Sequence, residues 1–125
     1  REFTRSTEVT LNIVSVEHHT GLRQFAKAEM VRIIQEALNN VRRHAQASRV
    51  DITFQRLDGN LQVEISDDGK GFLTEKIFDG HHRHNFGVRS MTDRAKSLAG
   101  TLDIRSKPGA GTTVRVEVPI EEGAE

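Results

Sequence analysis

The chain has 125 residues, and its 18 Lys+Arg and 18 Asp+Glu balance to a formal net charge of zero. This balance argues against a nonspecific nucleic-acid binder, which normally carries a basic excess. The 35% hydrophobic content favours one globular domain over a disordered chain. Cysteine is absent, which excludes disulfides and cysteine–zinc sites and fits a cytoplasmic protein. No apolar run approaches the roughly 20 residues of a membrane helix, so we expect no direct membrane contact from this domain.

The predicted elements follow one another as strand, helix, two strands, loop, helix and two strands. Apolar residues at every second position predict the strands, and an apolar stripe at i, i+3, i+4 and i+7 predicts each helix. Asp58-Gly59 is a hairpin signal, and Gly100 is well placed to end the second helix. In order, the elements are an edge strand from Val9 to about Val16, a helix over about 22–47, strands at Val50–Phe54 and Leu61–Ile65, a His-rich loop over 73–86, a helix from about Val88, and strands at Leu102–Ile104 and Val114–Val118.

This order of elements predicts an α/β two-layer sandwich. We expect one mixed sheet of about five strands with the helices on one face, because the helices are too few for a doubly wound sheet. The sequence contains no internal repeat and no linker-like segment, so residues 1–125 are expected to form one domain.

The first helix carries a polar stripe beside its apolar one. Glu36, Asn40, Arg43 and His44 are spaced at i, i+4, i+7 and i+8, which places them on one side of the helix. An amide oxygen suits Mg²⁺ beside phosphate oxygens and waters, an arginine can bind phosphate in a bidentate fork, and a glutamate can orient a water of the metal. An ordinary solvated helix face would show the same pattern.

A glycine-containing turn follows the third predicted strand directly. In Asp67-x-Gly69-x-Gly71, the glycines let the backbone approach a ligand closely. A carboxylate at a strand end can accept a hydrogen bond from an exocyclic amine such as adenine N6. A tight Asp-Gly turn explains the same residues without a ligand.

Two further stretches have ligand-binding features. Gly87 and Val88 stand at the start of the second helix, where unpaired backbone N–H groups attract anions. Thr112 follows a glycine at the start of the last strand, and its hydroxyl can bond a base directly or through water. Taken alone, the first stretch fits a plain loop-to-helix junction equally well, and the second fits a hairpin turn equally well.

The order and spacing of the four stretches resemble those of sensor histidine kinases. Residues 34–45 resemble the N box, 66–72 the G1 box, 86–95 the G2 box of the nitrate/nitrite-sensor subfamily, and 109–119 the closing glycine-rich strand. The resemblance extends from about Val9 to Pro119. The wider superfamily, which includes the gyrase, Hsp90 and MutL ATPases, has the Bergerat ATP-binding fold. The G2 stretch departs mildly from the family pattern, with Val88 in place of Leu and Asp93 in place of Glu.

The resemblance implies an ATP-binding catalytic domain of a two-component sensor histidine kinase, with ATP and Mg²⁺ as its cofactors. The four stretches are then expected to converge on a single magnesium nucleotide. By this resemblance Asn40 is the Mg²⁺ ligand, and Glu36 is the catalytic carboxylate at the metal and water. Asp67 binds the adenine amine together with Thr112, and Gly69 and Gly71 shape the adenine pocket. Gly87 and Val88 bind the phosphates, and Arg43 and His44 lie nearby.

The resemblance also implies partners. The segment before Val9 is too short for dimerisation helices with a phosphoacceptor His, so we expect residues 1–125 to bind ATP and to phosphorylate little alone. The γ-phosphoryl would pass to those helices in the same full-length protein and then to an Asp of a response regulator. An anti-sigma-type serine kinase, a non-catalytic nucleotide-binding module and a regulator-binding scaffold stay open as alternatives. Whether the parent protein crosses a membrane is also open.

Overall fold

The structure, a computed structural model, describes residues 9–15, 22–71 and 87–120, and the predicted His-rich loop lies outside them. Five strands form one sheet in the order β1-β2-β3-β5-β4. β1 is parallel to β2 at one edge and the other neighbours are antiparallel, so the predicted mixed sheet and its edge strand are confirmed. The elements are β1 (Thr10–Ser15), α1 (Gln24–Asn40), a π-helical turn (Val41–Ala45), β2 (Arg49–Leu57), β3 (Asn60–Asp67), α2 (Val88–Ser97), β4 (Thr101–Ser106) and β5 (Thr112–Pro119).

The core lies between the sheet and the two helices. Alternate residues of the central strands are buried because side chains of a strand point to opposite faces in turn. Helix α1 contacts β3, α2 contacts β4 and β5, and the helices contact each other. Each fully buried aliphatic side chain contributes about 1.5–3 kcal/mol of hydrophobic stabilisation. The central core side chains include Leu61, Val63 and Ile65 of β3, Val114, Val116 and Val118 of β5, Met30, Ile33 and Ala37 of α1, and Val88, Met91 and Ala95 of α2.

The other face of the sheet is polar. Its strands are joined by side-chain contacts across the ladder, such as the ion pair between Arg115 and Glu64 and the 3.0 Å hydrogen bond between the hydroxyls of Ser66 and Thr113. One face is therefore apolar and covered by helices while the opposite face is polar, which is the two-layer arrangement that the sequence predicts.

The hairpin between β2 and β3 follows its sequence signal. Asp58 and Gly59 form a two-residue loop with φ angles of 51° and 82°. Positive φ at both positions is typical of a type I′ turn, whose twist matches that of the strands. This turn fixes the register in which Leu61, Val63 and Ile65 all face the core.

The first helix differs from its prediction over about 22–47. It begins at Gln24 without a side-chain cap, its α-helical part ends at Asn40, and a π-helical turn continues to Ala45. Gln46 then ends it in a left-handed conformation with φ of 52°. The apolar period reaches the first residue of the π-helical turn, because Val41 is still buried, so periodicity alone could not separate the two kinds of helix.

Candidate functional site

Asp67 lies at the end of β3, on the face of the sheet that the helices cover. Its partner in the ladder is Thr112, the first residue of β5. Both residues continue the rows of buried side chains that run through Ile65 and Val114, because residues two apart on a strand share a face. The sheet therefore brings together two of the predicted site residues that are far apart in the sequence. We call Asp67, Gly69, Gly71 and Thr112 the sheet-end cluster.

Backbone N–H groups hold the Asp67 carboxylate in place. Its Oδ1 accepts a hydrogen bond of 2.7 Å from the N–H of Gly69, and the N–H of Thr112 also donates to the carboxylate. Burial raises the pKa of Asp67 above 3.8, while these hydrogen bonds act in the opposite direction. The result is a half-buried, oriented acceptor that costs free energy to ionise, a combination that suits a ligand-binding group.

Glycines allow the turn after β3 to pack against the turn between β4 and β5. A Cβ on Gly71, whose φ is 68°, would overlap the carbonyl oxygen of Lys107. A Cβ on Gly111, at φ of 77°, would overlap the carbonyl oxygen of Asp67. The N–H of Gly109 also donates to the carbonyl of Lys70 at 2.5 Å. These close approaches need residues without side chains, so Gly71 is required here by packing as well as by its conformation.

Asp68, the next residue along, has a different role, which the sequence did not reveal. Its exposed carboxylate accepts hydrogen bonds from the hydroxyl of Ser48 at 2.7 Å, from the N–H of Ser48 at 2.9 Å and from the N–H of Arg49 at 3.0 Å. The hydroxyl of Ser48 is the main reason that the pKa of Asp68 is lowered. Asp68 thus ties the turn after β3 to the start of β2.

A second set of predicted residues meets where α2 begins. Gly87 precedes this helix with φ of 64°, and a Cβ there would overlap the side-chain carboxylate of Glu36 on α1. The first N–H groups of a helix have no partner within it, and the helix dipole favours negative charge there. The Glu36 carboxylate therefore lies at the helix end to which the family resemblance assigns the nucleotide phosphates. We call Glu36 and Gly87 the helix-junction cluster.

The remaining predicted residues differ in their exposure. Asn40 is half-buried one turn after Glu36, and Arg43 is exposed in the π-helical turn. Val88 is 2% exposed, so its side chain belongs to the core and only its backbone is available to a ligand. The side chain of His44 lies outside what the structure describes.

The donor set on α1 fits a magnesium ion that is shared with phosphates. Within residues 9–15, 22–71 and 87–120, the structure has no group of three or more His, Cys, Asp or Glu side chains that could hold a metal. Mg²⁺ does not need such a cage, because it usually keeps several waters and takes one or two protein oxygens beside phosphate oxygens. The amide of Asn40 and the carboxylate of Glu36 are oxygen donors of this kind.

A cleft of about 540 Å³ lies between the two helices and reaches Glu36. An ion pair of 2.8 Å between Arg94 and Glu29 joins the helices beside it. Three of the lining residues are arginines, so the cleft is rich in donors for anions. The lining residues are Arg32, Gln35, Glu36, Leu38, Asn39, Arg42, Ser90 and Arg94.

Comparison with known proteins decides the family. The family model described as histidine kinase-, DNA gyrase B- and HSP90-like ATPase matches residues 26–122. The chain belongs to this ATPase family. The family resemblance inferred from the sequence is thereby confirmed, while membership of the nitrate/nitrite-sensor subfamily stays a prediction.

Several relatives in the family are sensor kinases. The chain is 35% identical to the signal transduction histidine-protein kinase/phosphatase DegS of Brevibacillus brevis, a match that covers 86% of this chain and 30% of that protein. It is 34% identical to the sensor histidine kinase LiaS of Bacillus subtilis, over 81% of this chain and 27% of that protein. The chain thus spans about a third or less of the length of these relatives.

Solved structures have the same fold. The chain is similar to the blue-light activated histidine kinase of Erythrobacter litoralis, with a TM-score of 0.76 and 21% identity over 98% of this chain and 39% of that one. It is also similar to the histidine kinase AdeS of Acinetobacter baumannii, with a TM-score of 0.73 and 13% identity over 97% of this chain and 59% of that one. Among the helices that the structure describes, none has the length and apolar character to cross a membrane.

Proposed function

We propose that this chain is the ATP-binding catalytic domain of a two-component sensor histidine kinase. In this proposal residues 1–125 form one domain on the cytoplasmic side, where ATP is available, and other parts of the full-length protein carry the dimerisation helices and the phosphoacceptor His. Membership of the ATPase family and similarity to DegS and LiaS support the proposal. The observation that carries it is the half-buried carboxylate of Asp67, oriented by the N–H groups of Gly69 and Thr112.

The sheet-end cluster is the proposed site for the base. Asp67 accepts a hydrogen bond from the exocyclic amine of adenine, and Thr112 binds beside it. Gly69 and Gly71 have no side chains, so the backbone of this turn can lie close to a flat ring. A half-buried carboxylate that is already oriented loses little conformational entropy when a ligand binds.

The helix-junction cluster and α1 form the proposed site for the triphosphate and metal. The start of α2 presents the N–H groups of Gly87 and Val88 to phosphate oxygens. Asn40 would supply an oxygen to Mg²⁺ and Glu36 would orient a water beside it, while Arg43 and His44 would be additional donors to phosphate. Bound Mg²⁺ would neutralise the charge on the phosphates.

Transfer of the γ-phosphoryl group depends mainly on position and charge. The acceptor is a His of the dimerisation helices, from which the phosphoryl group passes to an Asp of a response regulator. This chain holds the nucleotide at its base and phosphates so that the terminal phosphate points outward, and it needs no covalent intermediate of its own.

Nucleotide titrations test the two halves of the site. We expect the purified chain to bind a fluorescent ATP analogue more tightly with Mg²⁺ than without it. Asn40→Ala should remove the gain due to Mg²⁺ and keep the affinity seen without the metal, because the base contacts are intact. An affinity that does not depend on Asn40 under either condition would refute the metal assignment.

Phosphorylation of the full gene product distinguishes the remaining functions. We expect radiolabelled ATP to give an acid-labile, alkali-stable phosphate, as phosphohistidine does, and no label in the Asn40→Ala variant. An acid-stable label would support the serine-kinase alternative instead. ATP binding without any transferred label would support a non-catalytic nucleotide module.

A further inference from the structure

Two serine–threonine hydroxyl pairs join neighbouring strands at the same end of the sheet. Ser106 of β4 and Thr112 of β5 are 2.8 Å apart at their hydroxyl oxygens. Ser66 of β3 and Thr113 of β5 are 3.0 Å apart. Successive residues of β5 point to opposite faces, so only the first pair shares a face with Asp67. The chain therefore contains one hydroxyl pair that includes Thr112 of the sheet-end cluster, and a similar pair on the other face of the sheet.

Two contacts of the Ser106 hydroxyl fix the direction of its hydrogen bond with Thr112. Its Oγ is 2.9 Å from the carbonyl oxygen of Gly111, which can only accept. A serine hydroxyl has one proton to donate and can accept others. The arrangement that satisfies both contacts gives the proton of Ser106 to Gly111 and the proton of Thr112 to Ser106. Thr112 is then left as an acceptor towards a ligand.

Asp67 is an acceptor on the same face. Its carboxylate is oriented by the N–H of Thr112, so the two residues are neighbours through the backbone as well as in the ladder. A ligand that binds beside Asp67 and Thr112 faces lone pairs of both side chains. An amino group can donate to such an edge, whereas the carbonyl oxygen of a 6-oxo purine has no proton to offer in the same place and would face the lone pairs of both acceptors.

We propose that Ser106 is a positioning residue that holds the Thr112 hydroxyl as an acceptor and thereby helps the site select a 6-amino purine over a 6-oxo purine. This inference depends on the proposed function, in which the base lies at Asp67. Ser106 acts through Thr112 and does not itself touch the base.

The test compares ATP with inosine triphosphate, in which a 6-oxo group replaces the 6-amino group. Both nucleotides compete with a fluorescent ATP analogue for the wild-type chain and for Ser106→Ala. Without the Ser106 hydroxyl, the Thr112 hydroxyl can rotate and donate. The preference for ATP should then fall by about tenfold, which corresponds to the free energy of one hydrogen bond. Most of this change should come from tighter binding of inosine triphosphate.

Three further variants separate positioning from general structure. Ser66→Ala removes the similar hydroxyl pair on the other face and should leave the preference unchanged. Thr112→Val should lose discrimination as Ser106→Ala does, and Thr112→Ser, which retains a hydroxyl, should restore it. Thermal unfolding of each variant shows whether it folds, and Thr112→Val supplies the comparison if Ser106→Ala does not.

Each outcome has a distinct meaning. An unchanged preference in folded Ser106→Ala, or an equal change in Ser66→Ala, overturns the role of Ser106 while leaving ATP binding intact. A wild-type chain that binds ATP and inosine triphosphate equally overturns the idea that this edge selects the amino group. If the wild-type chain binds neither nucleotide, the proposed function fails, and this inference fails with it.

Discussion

The sheet-end cluster is held by hydrogen bonds across neighbouring strands, whereas the helix-junction cluster depends on one close contact between two helices. Asp67 is oriented by two backbone N–H groups, and its turn packs on the next turn through Gly71. Glu36 is a long side chain that lies against Gly87. The first arrangement fixes one geometry, while the second can change when a single rotamer changes. We therefore expect the two clusters to respond differently to Mg²⁺ and to mutation.

The largest expected effect is on Asp67. Asp67→Asn should weaken ATP binding by about 100-fold, because a ligand amino group loses a charged acceptor and meets an amide N–H₂. The loss should be similar with and without Mg²⁺, since the metal is expected at the other cluster. Calorimetric titration under both conditions measures it.

The same variant should be close to the wild-type chain in stability at neutral pH. Burial raises the pKa of Asp67, so the stability that its protonated form contributes is lost as the pH rises from 3.8 through the raised pKa. A neutral Asn avoids the cost of burying a charge, but its single amide oxygen accepts fewer hydrogen bonds from the N–H groups of Gly69 and Thr112. If thermal unfolding shows a clear loss of stability in Asp67→Asn, the lost affinity reflects damage to the fold and the comparison of the two clusters loses its basis.

A smaller effect is expected at Gly87. Gly87→Ala adds a Cβ that displaces the Glu36 carboxylate, so Mg²⁺-dependent ATP affinity should fall by about tenfold, with little change when Mg²⁺ is absent. The left-handed conformation adds roughly 1–2 kcal/mol of destabilisation. Gly59→Ala is a matched control because Gly59 also has positive φ and its added Cβ would meet nothing within 4 Å. An equal loss of affinity in the control would remove Glu36 from the explanation.

Acidification should separate affinity from stability. Protonation of Asp67 removes its acceptor, so ATP affinity should fall severalfold as the pH drops through a raised pKa that lies above 3.8. Asp68 has a lowered pKa, so its contribution to stability is present above 3.8 and is lost only as the pH falls through that lowered value. Titrations from neutral pH downward measure the affinity, and Asp67→Asn corrects for protonation of the nucleotide. A pH dependence that persists unchanged in Asp67→Asn would contradict this assignment.

The smallest effect is expected at Asp68, although it is the neighbour of Asp67. Asp68→Asn should lower the unfolding midpoint slightly and weaken ATP binding by at most about threefold. The effects are small because the hydrogen bonds that Asp68 accepts from Ser48 and Arg49 are exposed to solvent. Ser48→Ala should resemble it. Ser97→Ala, which also removes an exposed serine hydroxyl bond, is the control. A loss of affinity as large as that of Asp67→Asn would mean that the two carboxylates share one function.

The sequence predicted the sheet and the hairpin well because their signals are local. Alternation identifies the buried face of β3 and β5, and Asp58-Gly59 fixes the register between β2 and β3. The π-helical turn was missed because a segment of five residues is too short for an apolar pattern to distinguish the two helix types. A predicted helix of about 22–47 therefore combines two different pitches.

The site was predicted as a set of residues, and the structure supplies part of its geometry. The pairing of Asp67 with Thr112 follows from strand register, which no single motif encodes. The bonds of Asp68 to Ser48 join residues 20 positions apart, and the contact of Glu36 with Gly87 joins two helices, so neither has a local signal. Convergence of the two clusters on one nucleotide, and the roles of Asn40, Arg43 and His44, stay predictions.

The π-helical turn sets the rotational phase of the helix that carries Glu36 and Asn40. A π-helical turn holds more residues per turn than an α-helix, so it behaves as a one-residue insertion. Deleting one residue from Val41–Ala45 would regularise the helix and rotate its preceding turns by about 100° relative to β2, which is fixed in the sheet. The spacing between Glu36 and Asn40 would be unchanged, yet Glu36 would point away from Gly87 at the start of α2. Chain length in this segment is thus as much a determinant of the site as residue identity.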